Sequence, residues 1–96
     1  MDLRTAEKIL RTNKHDLVKR YHIKHIGIFG STVRKSNKKM SDVDILVEFK
    51  KSPGFEFIAI EDELSKLMGL KVDLVSKKSL QNPIIRKRIL SEVVYV

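Results

Sequence analysis

The chain has 96 residues, 42% hydrophobic and 33% charged, a balance that predicts one globular domain over residues 1–96 with a modest core and excludes a disordered tract. Twenty Lys and Arg against twelve Asp and Glu give a formal net charge of +8, which favours nucleotides, nucleic acid, anionic surfaces or an acidic partner without choosing among them. The absence of Cys removes disulfides, thiolate metal sites and thiol nucleophiles. With no signal-peptide core at the start and no run near the roughly 18 to 20 apolar residues of a bilayer span, the expectation is a cytoplasmic protein with no membrane role.

Leu3, Ala6, Leu10, Leu17 and Tyr21 recur at helical spacing, which predicts an amphipathic helix from Thr5 to about Tyr21, irregular near Thr12 and Asn13. Lys24 to Phe29 alternates and is rich in β-branched and aromatic residues, so it reads as a strand running into a tight turn at Gly30-Ser31. Thr32 to about Ser36 suits a short helix, and the polar, cationic Lys35 to Ser41 a loop. In Val43 to Phe49 the residues Val43, Ile45, Val47 and Phe49 fall on one strand face and Asp44, Leu46 and Glu48 on the other. Pro53-Gly54 ends that pattern. Phe57, Ile60, Leu64 and Leu67 give the next helix its buried stripe, and Gly69 its left-handed cap. Lys71 to Ser76 is a short strand. Asn82 as cap and Pro83 in the first turn open a last helix with Ile85, Ile89 and Val93 inward, whose β-branched end, Val93 to Val96, leaves the final turn undefined. The order predicts an α+β fold in two layers, a small mixed β-sheet with helices packed on it. There is no internal repeat or linker.

Three features carry chemistry. Gly30-Ser31 after a strand lets backbone N–H groups and a hydroxyl approach a triphosphate, although a Gly-Ser pair taken singly is more often an ordinary turn. Asp42 and Asp44, two apart on a strand with Cα atoms about 6.6 Å apart, present two carboxylates on one face. Asp is depleted in strands, and a half-buried carboxylate needs a divalent cation, a basic partner or solvent; judged alone, a solvent-exposed strand start with Lys38 or Lys39 as counter-ion stands even with metal binding. Asp73 repeats the oddity. If its strand lies beside that of Asp44, three carboxylates cluster and repel unless a hard cation neutralises them.

Taken together, the string GSTVRKSNKKMSDVDILVEF resembles the signature of the minimal nucleotidyltransferases, a small branch of the DNA polymerase beta superfamily. Gly30, Ser31, Arg34, Ser41, Asp42, Asp44 and Val47 match in place and spacing, Ile45 replaces Leu, and Asp73 in VDLV fits the third carboxylate. Lys35 departs from the pattern, standing where the family usually has Gly; if that position is left-handed, Lys is strained there. The resemblance implies the nucleotidyltransferase fold, a triphosphate held by Gly30 and Ser31, and two Mg2+ ions bound by Asp42, Asp44 and Asp73, with Asp73 also helping to activate the acceptor hydroxyl. Arg34, one turn into the short helix, is a phosphate contact or a surface arginine with equal weight. The resemblance further implies ATP as substrate and, as partner, a HEPN-domain protein, often an RNase toxin, which the enzyme restrains as antitoxin by adenylylating a tyrosine.

Two other readings compete: a non-catalytic antitoxin that blocks its partner by occlusion, and transfer to, or binding of, a nucleic acid or small molecule. The first leaves an intact carboxylate triad without work; a basic nucleic-acid-binding domain leaves three strand aspartates unexplained. His15, His22 and His25 lack partners at metal-ligand spacing. Lys38-Lys39, Lys50-Lys51 and Lys77-Lys78 are short enough to be solvated surface, and Phe55, Phe57 and Tyr21 suit core stripes better than base stacking.

Overall fold

The computed structural model describes residues 1–34 and 42–96. In chain order they form α1 (Leu3–Tyr21), β1 (Ile23–Phe29), α2 (Ser31–Arg34), β2 (Val43–Phe49), α3 (Glu56–Met68), β3 (Val72–Ser76), a single 3-10 turn (Lys77–Ser79), α4 (Pro83–Glu92) and β4 (Val94–Tyr95). α1 starts two residues before the expected Thr5 because Asp2 caps it, its carboxylate accepting from Thr5 N–H at 2.8 Å. The expected irregularity at Thr12 and Asn13 is not there. Both side chains turn back one turn, Thr12 Oγ1 donating to the Lys8 carbonyl and Asn13 Nδ2 to that of Ile9, each at 2.8 Å, and the helix stays unbroken. It ends at His22, whose left-handed φ of 55° reverses the chain into β1.

The sheet order is β3-β2-β1-β4; β1 runs antiparallel to β2 and β4, and β2 runs parallel to β3. The parallel pair is connected through α3, and α2 follows β1 in the connection to β2. β4 corrects the expectation of three strands. Val93 is already extended at ψ 135°, and the β-branched residues after it lie along the open edge of β1, with Val94 opposite Ile28 and Tyr95 opposite Gly27. A bulge between Ile23 and His25 lets Ile23 and Ile26, three residues apart, both reach the core.

One face of the sheet carries the main core. Ile26 and Ile28 of β1, Val43, Ile45 and Val47 of β2, and Val72 and Leu74 of β3 meet Ala6, Leu10 and Leu17 of α1 and Ile60, Leu64 and Met68 of α3. Each fully buried aliphatic side chain contributes about 1.5–3 kcal/mol. The expected α3 stripe holds at Ile60 and Leu64, whereas Phe57 and Leu67 are only half-buried and Met68 takes the inner position of the last turn. α3 ends at Gly69, in the left-handed conformation at φ 71°. It also covers the edge of β3: Val72 N–H donates to Ser65 Oγ and Leu74 N–H to Glu61 Oε2, both at 2.9 Å, so outward-facing amides are satisfied.

The opposite face is covered by α4. Leu46 and Phe29 are buried against Ile89, with Val75, Leu80, Leu90 and Val93 around them. Leu46 is thus core rather than part of an outward polar face. Ile85, expected inward, is 51% exposed, because it sits in the first turns of α4, ahead of the part that reaches the sheet. No described helix is long and apolar enough to cross a membrane.

Candidate active site

β1 ends at Phe29, whose cross-strand partner is Asp44, and this pairing brings the Gly30 turn against the Asp44 carboxylate. Gly30 has φ 77°, and a Cβ there would stand 3.0 Å from the Asp44 carboxyl carbon and nearer still to one oxygen. Conformation and close approach both require glycine. Ser31 opens α2, half-exposed. Val33 and Arg34 donate to the Gly30 carbonyl at 3.1 Å, while the first amides of a helix, here those of Ser31 and Thr32, have no intrahelical acceptor.

The parallel pairing of β2 and β3 sets Asp44 opposite Asp73 in register, on the α4 side of the sheet, and Asp42 immediately precedes β2. The condition set by the sequence, that the third aspartate's strand lie beside that of Asp44, is therefore met. Burial, then the neighbouring Asp73 and Asp42 carboxylates, pushes the Asp44 pKa up, with Arg34 opposing. Burial and then Asp42 push Asp73 up as well, opposed by Lys71. Among the described residues Lys71 approaches the Asp42 and Asp73 pair, its Nζ 4.0 Å from an oxygen of each; at 74% exposure it screens them only weakly. Lys38 and Lys39, the counter-ions considered from sequence, lie outside the described residues, as do Lys35 and Ser41.

No three His, Asp or Glu among the described residues converge into a ready-made metal cage. The donor set nevertheless suits a hard divalent cation. Mg2+ is commonly held by one or two carboxylates with substrate phosphate oxygens completing the octahedron, and carboxylates that raise one another's pKa are stabilised by such a charge. The basic cleft at the other end of β2 and β3, lined by Lys50, Lys77, Lys78 and Arg86 with Glu48, has cations but no carboxylate pair and lacks these donors.

Sequence reading missed Glu92. Its Oε1 accepts from Gly30 N–H at 3.1 Å, and Arg34 Nη1 donates to both of its oxygens at 3.0 Å. The available signal was an acid closing the otherwise basic PIIRKRILSE helix, where the macrodipole disfavours negative charge unless a partner compensates. Gly30 and Arg34 are thus joined through a residue 62 positions away from the turn.

A glycine turn abutting paired strand carboxylates on a small mixed sheet is the arrangement of a nucleotidyltransferase. The family model described as nucleotidyltransferase domain matches residues 4–96, and the chain belongs to that family. It is 47% identical over 97 residues to the protein adenylyltransferase MntA of Thermococcus cleftensis, covering 100% of this chain and 97% of that one. A solved structure provisionally described as a minimal nucleotidyltransferase superposes with a TM-score of 0.74 at 30% identity, over 98% of this chain and 95% of the other. A further match, at 18% identity with a TM-score of 0.66 over 99% of this chain and 71% of the other, is to the complex of a tri-AMPylated Shewanella oneidensis HEPN toxin with an MNT antitoxin; at that identity the likeness concerns the fold alone. The chain is an enzyme of the nucleotidyltransferase class, its described residues forming four helices on a four-stranded mixed sheet.

Proposed function

We propose that this chain, acting as a single domain over residues 1–96, is a Mg2+-dependent protein adenylyltransferase that serves as the antitoxin of a HEPN-domain RNase toxin, transferring AMP from ATP to a toxin tyrosine in the cytoplasm. The observation that carries the reading is the in-register Asp44/Asp73 pair beside the Gly30 turn. The 47% identity to MntA supports the activity, and the fold shared with an MNT antitoxin bound to an AMPylated HEPN toxin supports the partner.

In this reading Asp42, Asp44 and Asp73 hold two Mg2+, whose chemistry when bound is to neutralise phosphate charge and stabilise the attacking and leaving oxygens. Ser31, with Arg34, binds the triphosphate, and Gly30 gives the turn its closeness to Asp44. Asp73 takes up the proton as the acceptor hydroxyl oxygen bonds to the α-phosphorus. The bond between the α-phosphorus and its bridging oxygen breaks, and pyrophosphate leaves.

The test is to capture the HEPN partner with the tagged chain, incubate the complex with labelled ATP, and map the label by mass spectrometry. Mg2+-dependent AMP on a partner tyrosine is expected. Neutralisation of the partner with no transfer would replace this reading with occlusion, and label on RNA or a small molecule would replace the acceptor.

A further inference from the structure

The Glu92 side chain is only 15% exposed, and the hydrogen bonds described for its carboxylate all go to the Gly30 turn and the helix it opens: Gly30 N–H donates at 3.1 Å and Arg34 Nη1 at 3.0 Å to each oxygen. Resting on the proposed nucleotide site, we infer that Glu92 is a positioning residue for triphosphate binding, acting through Arg34.

The geometry favours positioning over blockade. An arginine locked into a fork-to-fork pair commits two nitrogens to the carboxylate. Here a single nitrogen, Nη1, serves both Glu92 oxygens, and Nε and Nη2 have no acceptor among the described residues. A guanidinium carries five donors in a rigid plane, so fixing it by one nitrogen orients the rest without consuming them. Arg34 itself is 42% exposed; without Glu92 it would sample many rotamers, and ordering it on phosphate would cost affinity. The same carboxylate accepts from the Gly30 amide, so it fixes the guanidinium relative to the turn.

Glu92 is in turn fixed by the tail. Val93 and Val94 press on β1 at Gly27, where a Cβ would stand 2.8 Å from both Val93 Cγ2 and the Val94 carbonyl oxygen, and Val96 N–H donates to the Ile26 carbonyl at 3.0 Å. The segment from Ile89 onward therefore does more than close the sheet, since it delivers a carboxylate to the end of the strand that carries the turn.

The experiment is a double-mutant cycle on Mg·ATP affinity, read by calorimetry on wild type, Arg34→Ala, Glu92→Ala and the double variant, with Glu92→Gln as a near-isosteric second variant. Each single Ala change is expected to weaken binding about tenfold, the scale of one charge-assisted hydrogen bond, and the double variant to be no weaker than Arg34→Ala alone. Glu92→Gln, which cannot offer two oxygens to Nη1 and Oε1 to Gly30 together, is expected to weaken binding in the same direction. Additive losses, unchanged affinity in Glu92→Ala and Glu92→Gln, or tighter binding in either would overturn the inference while leaving the nucleotide site intact. If wild type and every variant fail to bind Mg·ATP, the nucleotide site itself fails, and the inference with it.

Discussion

The two faces of the sheet use the same strands for opposite purposes. On the α1/α3 face, Ile26 and Ile28 of β1, Val43, Ile45 and Val47 of β2, and Val72 and Leu74 of β3 are aliphatic and buried, whereas on the α4 face the same three strands carry Phe29, Leu46 and Val75 interleaved with Asp44 and Asp73. Because strand side chains alternate, the first face can be packed for stability without disturbing carboxylates one residue, about 3.3 Å, further along the strand. The second has a small core where α4 crosses and leaves the start of the parallel pair to the aspartates. Stability and activity should therefore separate by face.

The sharpest break with ordinary behaviour is expected at Asp44. Asp44→Asn should lose AMP transfer by orders of magnitude, yet raise the melting temperature in metal-free buffer at neutral pH. The sign follows from its raised folded-state pKa: the native state disfavours the ionised form, so the penalty is absent below the unfolded pKa and full above the folded one. The gain from Asn should shrink as pH falls through that window, which a series of thermal melts would measure. A lower melting temperature at neutral pH would mean that Asp44 is held by favourable contacts.

The reverse pattern is expected on the other face. Leu64→Ala, fully buried in the main core, should cost about 2–5 kcal/mol in denaturant unfolding, while the specific activity of the fraction that remains folded is unchanged. Gly30→Ala should sit between the two, costing roughly 1–2 kcal/mol for the left-handed backbone and also impairing transfer, because the new methyl displaces the Asp44 carboxylate. Ser31→Ala is the mildest. It should weaken Mg·ATP binding by about tenfold, as for one lost bond to a charged group, with stability unchanged within about 0.5 kcal/mol. A large drop in its melting temperature would mark Ser31 as a structural cap.

The difference between the faces also explains what could be read from the amino acids. The main core was legible because α1, α3 and the three longer strands each carry their own periodicity, and the Asp44/Asp73 register followed once their strands were neighbours. The second face depends on long-range pairing. β4 is two residues long, too short for a pattern of its own, and becomes a strand because β1 offers an open edge. Leu46 sits between Asp44 and Glu48 and looks polar by association until α4 covers it. Glu92 reads as a helix-end acid, and only the fold shows that Gly30 and Arg34 are its partners. Arg34, balanced from sequence between phosphate contact and surface residue, is held by that ion pair, and its Nε and Nη2 have no acceptor among the described residues.

The central claim is that the third carboxylate makes this an enzyme rather than a binder. Asp73→Asn is nearly isosteric and lies at 47% side-chain exposure, so the fold and the complex with the HEPN partner should survive, and Asp42 with Asp44 should keep much of the Mg·ATP affinity. Wild type and variant are incubated with labelled ATP, Mg2+ and the purified partner, with label on the partner and complex formation followed together. The account predicts intact complex and AMP transfer reduced by orders of magnitude in the variant; transfer at the wild-type rate would contradict it.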